Sequence, residues 1–197
     1  MPLIIISGLI GSGKSTLSKF FKTKGYYYLN SDKIAKNLIK NDEKIKNRLF
    51  KLFGTSIFIG KRIVIKKLRN KLIESKSNKI KIEKILHPIF FKKINQYLKD
   101  NKTKKIIIEI PLIETCGNIK YPYKVITVNT FLKFRIERFL KKNSESKALF
   151  MKLNNLQKER KFYLNNSDYV LNNNDSIEML KVKFNKLYRV LYNESLV

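Results

Sequence analysis

Gly8-Leu9-Ile10-Gly11-Ser12-Gly13-Lys14-Ser15 is the stretch whose residue types and spacing can do chemistry together. Its pattern, G-x-x-x-x-G-K-[ST], is that of a loop that wraps phosphate groups. Glycines remove the Cβ atoms that would keep backbone N–H groups away from an anion. The N-terminus of a following helix adds its positive dipole end and unpaired N–H groups. Lys14 can reach the β- and γ-phosphates of a nucleoside triphosphate, and the Ser15 hydroxyl can ligate Mg2+. Gly11, Ser12, Gly13, Lys14, Ser15 and Thr16 are therefore the candidate nucleotide contacts. They account for a phosphate donor and leave the acceptor open.

Phosphoryl transfer needs charge neutralisation and a carboxylate that orients or deprotonates the attacking hydroxyl. Asp32 suits that task, and it equally suits the cap of a helix. Glu109 closes Ile106-Ile107-Ile108-Glu109, where an acid can hold Mg2+ directly or through water, or simply end a strand. Arg135, Arg138, Lys141 and Lys142 precede a polar break at Asn143. A basic helix leading into such a loop can close over ATP, with Arg138 offsetting transition-state charge. The alternative is a solvated basic face. His87, the only histidine, precedes Pro88 and reads as a packed, capping or ligand-binding residue.

The elements that must position these groups follow from periodicity. Leu3 to Ile6 is a short apolar run typical of a buried strand, and Lys14 to Lys24 reads as a helix stopped by Gly25. Tyr26 to Leu29 is a second strand, after which Ser31 or Asp32 caps a helix reaching Ile39. Asp42 opens a helix with Ile45, Leu49, Leu52 and Phe53 on one face, stopped by Gly54. Ile57 to Gly60 reads as a turn, Ile63 to Ile73 as helix and Ser75 to Asn78 as loop. Apolar residues from Ile82 to Leu98 recur at helical spacing, with Pro88 expected to interrupt them. Lys104 to Ile110 and Val125 to Val128 are strands. Phe131 to Lys142 is a helix, and another runs to about Asn165. Tyr169 to Leu171 is a last strand, and Asp175 caps the final helix. This alternation predicts an α/β fold, a parallel sheet with helices on both faces. Ligands then gather at the carboxyl ends of the strands. Those ends carry the Gly8 loop, Asp32, Glu109, Glu114 and Asn172 to Asn174.

The totals narrow the class. A chain of 197 residues fits one domain with an insertion. No apolar run approaches the roughly 20 residues of a membrane span. The first 14 residues lack the pattern of a secretory signal, and the single Cys116 excludes an internal disulfide framework. A cytoplasmic, monomeric protein without membrane contact is expected. The net charge of +28 comes from 43 Lys and Arg against 15 Asp and Glu. It is spread along the chain and is mostly Lys. That balance suits a partner rich in phosphate, nucleic acid or a polyanionic small molecule. Lys, Asn and Ile, however, are all over-used and share A/T-rich codons, so drift in composition is favoured over a dedicated patch, and no nucleic-acid partner is expected.

Taken in order, these pieces resemble the dephospho-CoA kinase family over nearly the whole chain. The Gly8–Thr16 loop is similar to that family's G-G-I-G-S-G-K-S-T. Ser31-Asp32-Lys33-Ile34-Ala35 resembles its D-A-D-x-I-A, and Leu86-His87-Pro88-Ile89 its L-H-P-x-I. Ile110-Pro111-Leu112-Ile113-Glu114 resembles V-P-L-L-x-E. Gln157 and Ser167-Asp168-Tyr169-Val170-Leu171-Asn172-Asn173 resemble its Q and A-D-x-V-I-x-N elements. Arg138 and Lys142 fall at basic positions of its lid helix. Three positions depart from the pattern: Asn30 stands for an Asp, Ile65 for an Arg, and Tyr163 lies near an expected basic residue.

The resemblance implies a P-loop NTPase fold, three-layer α/β/α with a central parallel sheet of about five strands. The core would be residues 1–32 and 104–197, with a helical acceptor-binding insertion over about 33–103 and a lid over about 139–160. It implies transfer of phosphate from ATP, with Mg2+, to the ribose 3′-hydroxyl of dephospho-CoA, giving CoA and ADP. Asp32, Lys14 and Arg138 would be catalytic. Asn172 would join the loop in binding ATP. Asp32, His87, Pro111, Leu112 and Glu114 would hold the acceptor, and Ser15 and Glu109 the metal. On the residues alone, two other readings remain: another small-molecule or nucleoside kinase with the same loop, and a basic nucleic-acid-binding NTPase.

Overall fold

The structure is a computed structural model in which residues 3–142 and 145–194 are described. Asn143 and Ser144, within the expected lid, lie outside them. The first half runs β1 (Leu3–Ser7), α1 (Lys14–Lys22), β2 (Tyr27–Asn30), α2 (Ser31–Asn41), α3 (Glu43–Phe53), β3 (Phe58–Ile59), β4 (Arg62–Ile63), α4 (Ile65–Glu74) and α5 (Lys76–Asp100). The second half runs β5 (Ile106–Glu109), β6 (Lys124–Asn129), α6 (Leu132–Lys142), α7 (Lys147–Asn155), α8 (Arg160–Asn165), β7 (Tyr169–Asn172) and α9 (Ile177–Asn193). Two compact units result: Met1–Leu29 with Asn101–Val197, and Asn30–Asp100. Among the described residues no helix is long and apolar enough to cross a membrane.

In the first unit a five-stranded sheet has the order β2-β5-β1-β6-β7. β1 pairs in parallel with both β5 and β6, and β6 in parallel with β7. All five residues of β1 are buried. That is the burial expected of a central parallel strand covered on both faces, and it explains the unbroken apolar run in the sequence. Ile4, Ile6, Ile107, Ile126, Val128 and Leu171 share one core cluster with Leu17 and Phe21 of α1 and Leu180, Phe184 and Leu191 of α9. Phe21 and Phe184 meet edge to face, their ring centres 5.0 Å apart. On α8, the Tyr163 carbonyl accepts from the Ser167 hydroxyl, which also meets Thr127 of β6 at 2.6 Å.

In the second unit α5 packs against α2, α3 and α4. Several boundaries there differ from the sequence reading. Asn30 caps α2, its side chain accepting from the Lys33 N–H, so neither Ser31 nor Asp32 does. Residues 57–60 enter a two-stranded hairpin rather than a simple turn, with Phe58 opposite Ile63 and Ile59 opposite Arg62. Ser75 accepts from the Asn78 N–H at 3.1 Å, so α5 begins where a loop was expected. α5 also runs through Pro88. A helical proline costs about 3 kcal/mol, and burial of Phe90, Phe91, Ile94 and Leu98, at roughly 1.5–3 kcal/mol each, outweighs it.

Two further differences lie in the first unit. The helix expected up to Asn165 is split into α7 and α8, and α7 ends at the poor helix formers Asn154 and Asn155. α9 is capped by Ser176, accepting from the Met179 N–H, and not by Asp175. Asp175 instead meets the Lys183 ammonium at 2.5 Å.

Candidate active site

The glycine loop joins β1 to α1 at the carboxyl end of the central strand. Its glycines are required by geometry, as Gly11 and Gly13 show. At Gly11, φ is +77° and an added Cβ would lie 2.4 Å from the Arg135 carbonyl oxygen. At Gly13, the left-handed N-cap of α1, φ is +99° and a Cβ would lie 2.3 Å from Asn173 Nδ2. The Lys14 ammonium is buried beneath this loop, donating to the carbonyls of Gly8 at 2.9 Å and Leu9 at 3.1 Å. The loop is therefore held in its curved shape by its own lysine.

Residues from distant elements hold the loop from outside. The Ser12 carbonyl accepts twice, from Thr130 Oγ1 at 2.9 Å and from Asn173 Nδ2 at 2.8 Å. Thr130 and Asn173 are both buried. The Ile10 N–H donates to Gln157 Oε1 at 2.8 Å. The Ile10 carbonyl accepts from Arg135 Nη1 at 3.3 Å, and the same nitrogen reaches Asn154 Oδ1 at 2.7 Å. Burial lowers the Arg135 pKa, yet a guanidinium stays charged in proteins, so a buried cation stands beneath the loop.

Arg138 lies one helical turn further along α6. Its Nη1 donates to the Asn173 carbonyl at 2.9 Å and its Nη2 to the Asp175 carbonyl at 3.3 Å. Burial lowers its pKa too, partly offset by Glu137 and Asp175. Asn172 is exposed and accepts from Asn129 Nδ2 at 2.6 Å, so the asparagine on the loop is its neighbour Asn173. Asn129 Oδ1 accepts in turn from Arg160 Nε at 2.7 Å.

At the end of β5, Glu109 stands opposite Ile6 in the strand register, immediately before the loop begins. The Tyr28 hydroxyl donates to its carboxylate at 2.5 Å. Beyond it, the Tyr163 hydroxyl donates to the Pro111 carbonyl at 2.9 Å. The Leu112 carbonyl accepts from both the N–H and the hydroxyl of Thr115, winding residues 113–118 into a tight 3-10 turn. Glu114 on that turn is exposed and Cys116 is buried. Burial first, and the Glu114 charge second, push the Cys116 thiol up to about 12.

Glu109 and the half-buried Ser15 supply one carboxylate and one hydroxyl at the ends of neighbouring elements. No group of three or more His, Cys, Asp or Glu among the described residues is placed to hold a metal. A sparse set of this kind suits Mg2+, which keeps its waters and binds through one or two protein groups plus phosphates.

Asp32 and His87 belong to the second unit. Asp32 is exposed in the first turn of α2, outside the capping bond. His87 is half-buried on α5, edge-on to Phe91 at 5.9 Å. The first unit brings together the glycine loop, Glu109, Pro111, Arg138 and the end of β7. Thr130 escaped the sequence reading because it carries no motif signal. Asn173 was among the strand-end candidates and ends the last family element, but the ATP contact was expected at its neighbour Asn172.

The loop, its lysine and the flanking carboxylate make a candidate nucleotide-phosphate site, and comparison with known proteins shows the family to which the chain belongs. The family model described as CoaE, dephospho-CoA kinase, matches residues 2–179. The dephospho-CoA kinase of Legionella pneumophila (strain Lens) is 31% identical over 191 residues, covering 96% of this chain and 95% of its own. That of Fusobacterium nucleatum is 32% identical over 182 residues, covering 90% and 92%. Among solved structures, the dephospho-CoA kinase from Campylobacter jejuni superposes with a TM-score of 0.68 at 24% identity, covering 98% of each chain. A shikimate kinase from Acinetobacter baumannii shares the fold, with a TM-score of 0.59 at 15% identity over 100% of this chain and 96% of its own. The chain, with its glycine loop and L-H-P and P-L-x-E signatures in order, belongs to the dephospho-CoA kinase family.

Proposed function

We propose that this protein transfers the γ-phosphate of ATP to the ribose 3′-hydroxyl of dephospho-CoA, giving CoA and ADP, the last step of coenzyme A synthesis. The observation that carries the reading is the family match across residues 2–179, with an intact phosphate loop on the carboxyl end of β1. Asp32 accepts the proton of the 3′-hydroxyl as its oxygen attacks the γ-phosphorus, and the bond to the β,γ-bridging oxygen breaks to release ADP. The capping of α2 by Asn30 supports this role, since it leaves the Asp32 carboxylate out of the backbone cap.

Gly11 to Thr16 cradle the phosphates, and Lys14 exchanges its loop carbonyls for phosphate oxygens. Arg138 balances negative charge that builds during transfer. Ser15 and Glu109 would hold Mg2+, whose charge neutralises the phosphates. His87, Pro111, Leu112 and Glu114 bind the acceptor. Residues around 139–160 act as the lid, and the enzyme works as a cytoplasmic monomer.

Purified protein given ATP, Mg2+ and dephospho-CoA should release ADP and form CoA. Absence of turnover above the level of a Lys14→Ala control would refute the activity. Asp32→Asn should lower kcat by roughly two or more orders of magnitude, the size of a general-base contribution. Turnover at the wild-type level would remove Asp32 from the mechanism.

A further inference from the structure

We propose that Gln157 and Tyr163 form a positioning relay that joins the nucleotide loop to the Pro111 turn, so that ATP and the acceptor bind cooperatively. The relay is a continuous run of hydrogen bonds. The Ile10 N–H donates to Gln157 Oε1 at 2.8 Å. The amide nitrogen of Gln157 donates to the Tyr163 hydroxyl oxygen at 3.4 Å, the longest link. The Tyr163 hydroxyl then donates to the Pro111 carbonyl at 2.9 Å. All three links run in the same donor-to-acceptor direction, from Ile10 to Pro111.

Both ends are stiff. Ile10 is also held through its carbonyl, which accepts from Arg135 Nη1 at 3.3 Å. Pro111 has a fixed φ, and the next carbonyl is bonded twice by Thr115. Tyr163 is 1% exposed, so water cannot replace a lost partner. Burial also raises its pKa, which keeps the hydroxyl proton in place as a donor. A shift of the loop or of the turn therefore strands a buried polar group, an arrangement that proteins avoid. The favoured position of each end thus depends on the other. Tyr163 stands near where the family carries a basic residue, and a charged side chain could not serve as both donor and acceptor here. The inference rests on the reading that the Pro111–Glu114 turn holds the acceptor.

Calorimetry on the full chain tests it, with Mg2+, a non-hydrolysable ATP analogue and dephospho-CoA. The coupling factor is the ratio of acceptor Kd without and with the analogue, and linkage requires the same factor in the analogue's Kd. The wild type should give a factor of about 10, within the usual range of coupling between sites. Tyr163→Phe keeps the ring in place and should bring the factor to about 1, with the analogue's own Kd within about twofold. The kinetic loss should then fall on the acceptor KM rather than on kcat at saturation. Gln157→Glu keeps an acceptor for Ile10 but has no amide donor, and should also abolish coupling. It serves as well if Tyr163→Phe fails to fold. A wild-type factor of 1, or an undiminished factor in a folded variant, overturns the proposal. Leu112→Ala and Glu114→Gln report separately on the acceptor reading. Unchanged acceptor affinity in both would place the acceptor elsewhere, and the relay would lose one end.

Discussion

Lys14 illustrates how far single residues explain this site. Its two bonds to the Gly8 and Leu9 carbonyls hold the loop in a phosphate-ready curve. Lys14→Ala should therefore lower kcat/KM by on the order of two or more powers of ten, as loss of a preorganised charge at a transferring phosphoryl group does. Steady-state kinetics checks this, and a loss below tenfold would contradict the assignment. Asn173→Ala leaves the Ser12 carbonyl to Thr130 alone. It should raise the ATP KM about tenfold while leaving the acceptor KM near wild type, a loss equal to one net hydrogen bond. Lys14 was legible in the sequence because a local spacing rule specifies it. The bonds of Asn173 and Thr130 to the loop were not, because they form only through the pairing of β6 with β7 and the turns that follow those strands. Gln157 was visible as a family element, but its bond to Ile10, 147 positions away, is a product of the fold.

At the scale of elements, the strands of the five-stranded sheet and the loop–helix junction were read correctly, while several helix ends and a short hairpin were not. Alternation and β-branched runs mark buried strands strongly. Helix ends are instead decided by which of several adjacent polar side chains reaches a free N–H, as in the choice of Asn30 over Ser31 and Ser176 over Asp175. The hairpin at residues 58–63 hid because strands of two residues carry no period. Asn30 makes the point testable. Asn30→Ala removes the cap and should cost about 1 kcal/mol, a fall in Tm of roughly 2–4 °C for a chain of this size. Asn30→Asp keeps an acceptor and adds a charge that favours a helix N-terminus, so its Tm should equal or exceed the wild type. Calorimetric scans of the three proteins decide it. A destabilised Asp variant would mean that the neutral amide is needed there.

For the whole molecule, charge is the dominant physical fact. Of the described Lys and Arg residues, Lys14 and Arg135 alone are buried, and the others are half-buried or exposed. Lys46–Glu43, Lys71–Glu74 and Lys79–Glu83 are local helical ion pairs, worth little individually. Repulsion among the remaining cations should weaken the folded state. Raising NaCl from about 0.01 to about 0.15 M shortens the screening length from roughly 30 to roughly 8 Å, and should raise Tm. A falling Tm would show that attraction outweighs repulsion. Cys116 offers a different view of the same molecule. It is the only thiol in the chain, it is 4% exposed, and its pKa lies near 12. At neutral pH an alkylating reagent therefore meets neither surface nor thiolate until the structure opens. The rate of alkylation, followed as a single mass increment, becomes a clock for that opening. If the opening is that of the turn proposed to hold the acceptor, added dephospho-CoA should slow the clock by more than it slows global unfolding.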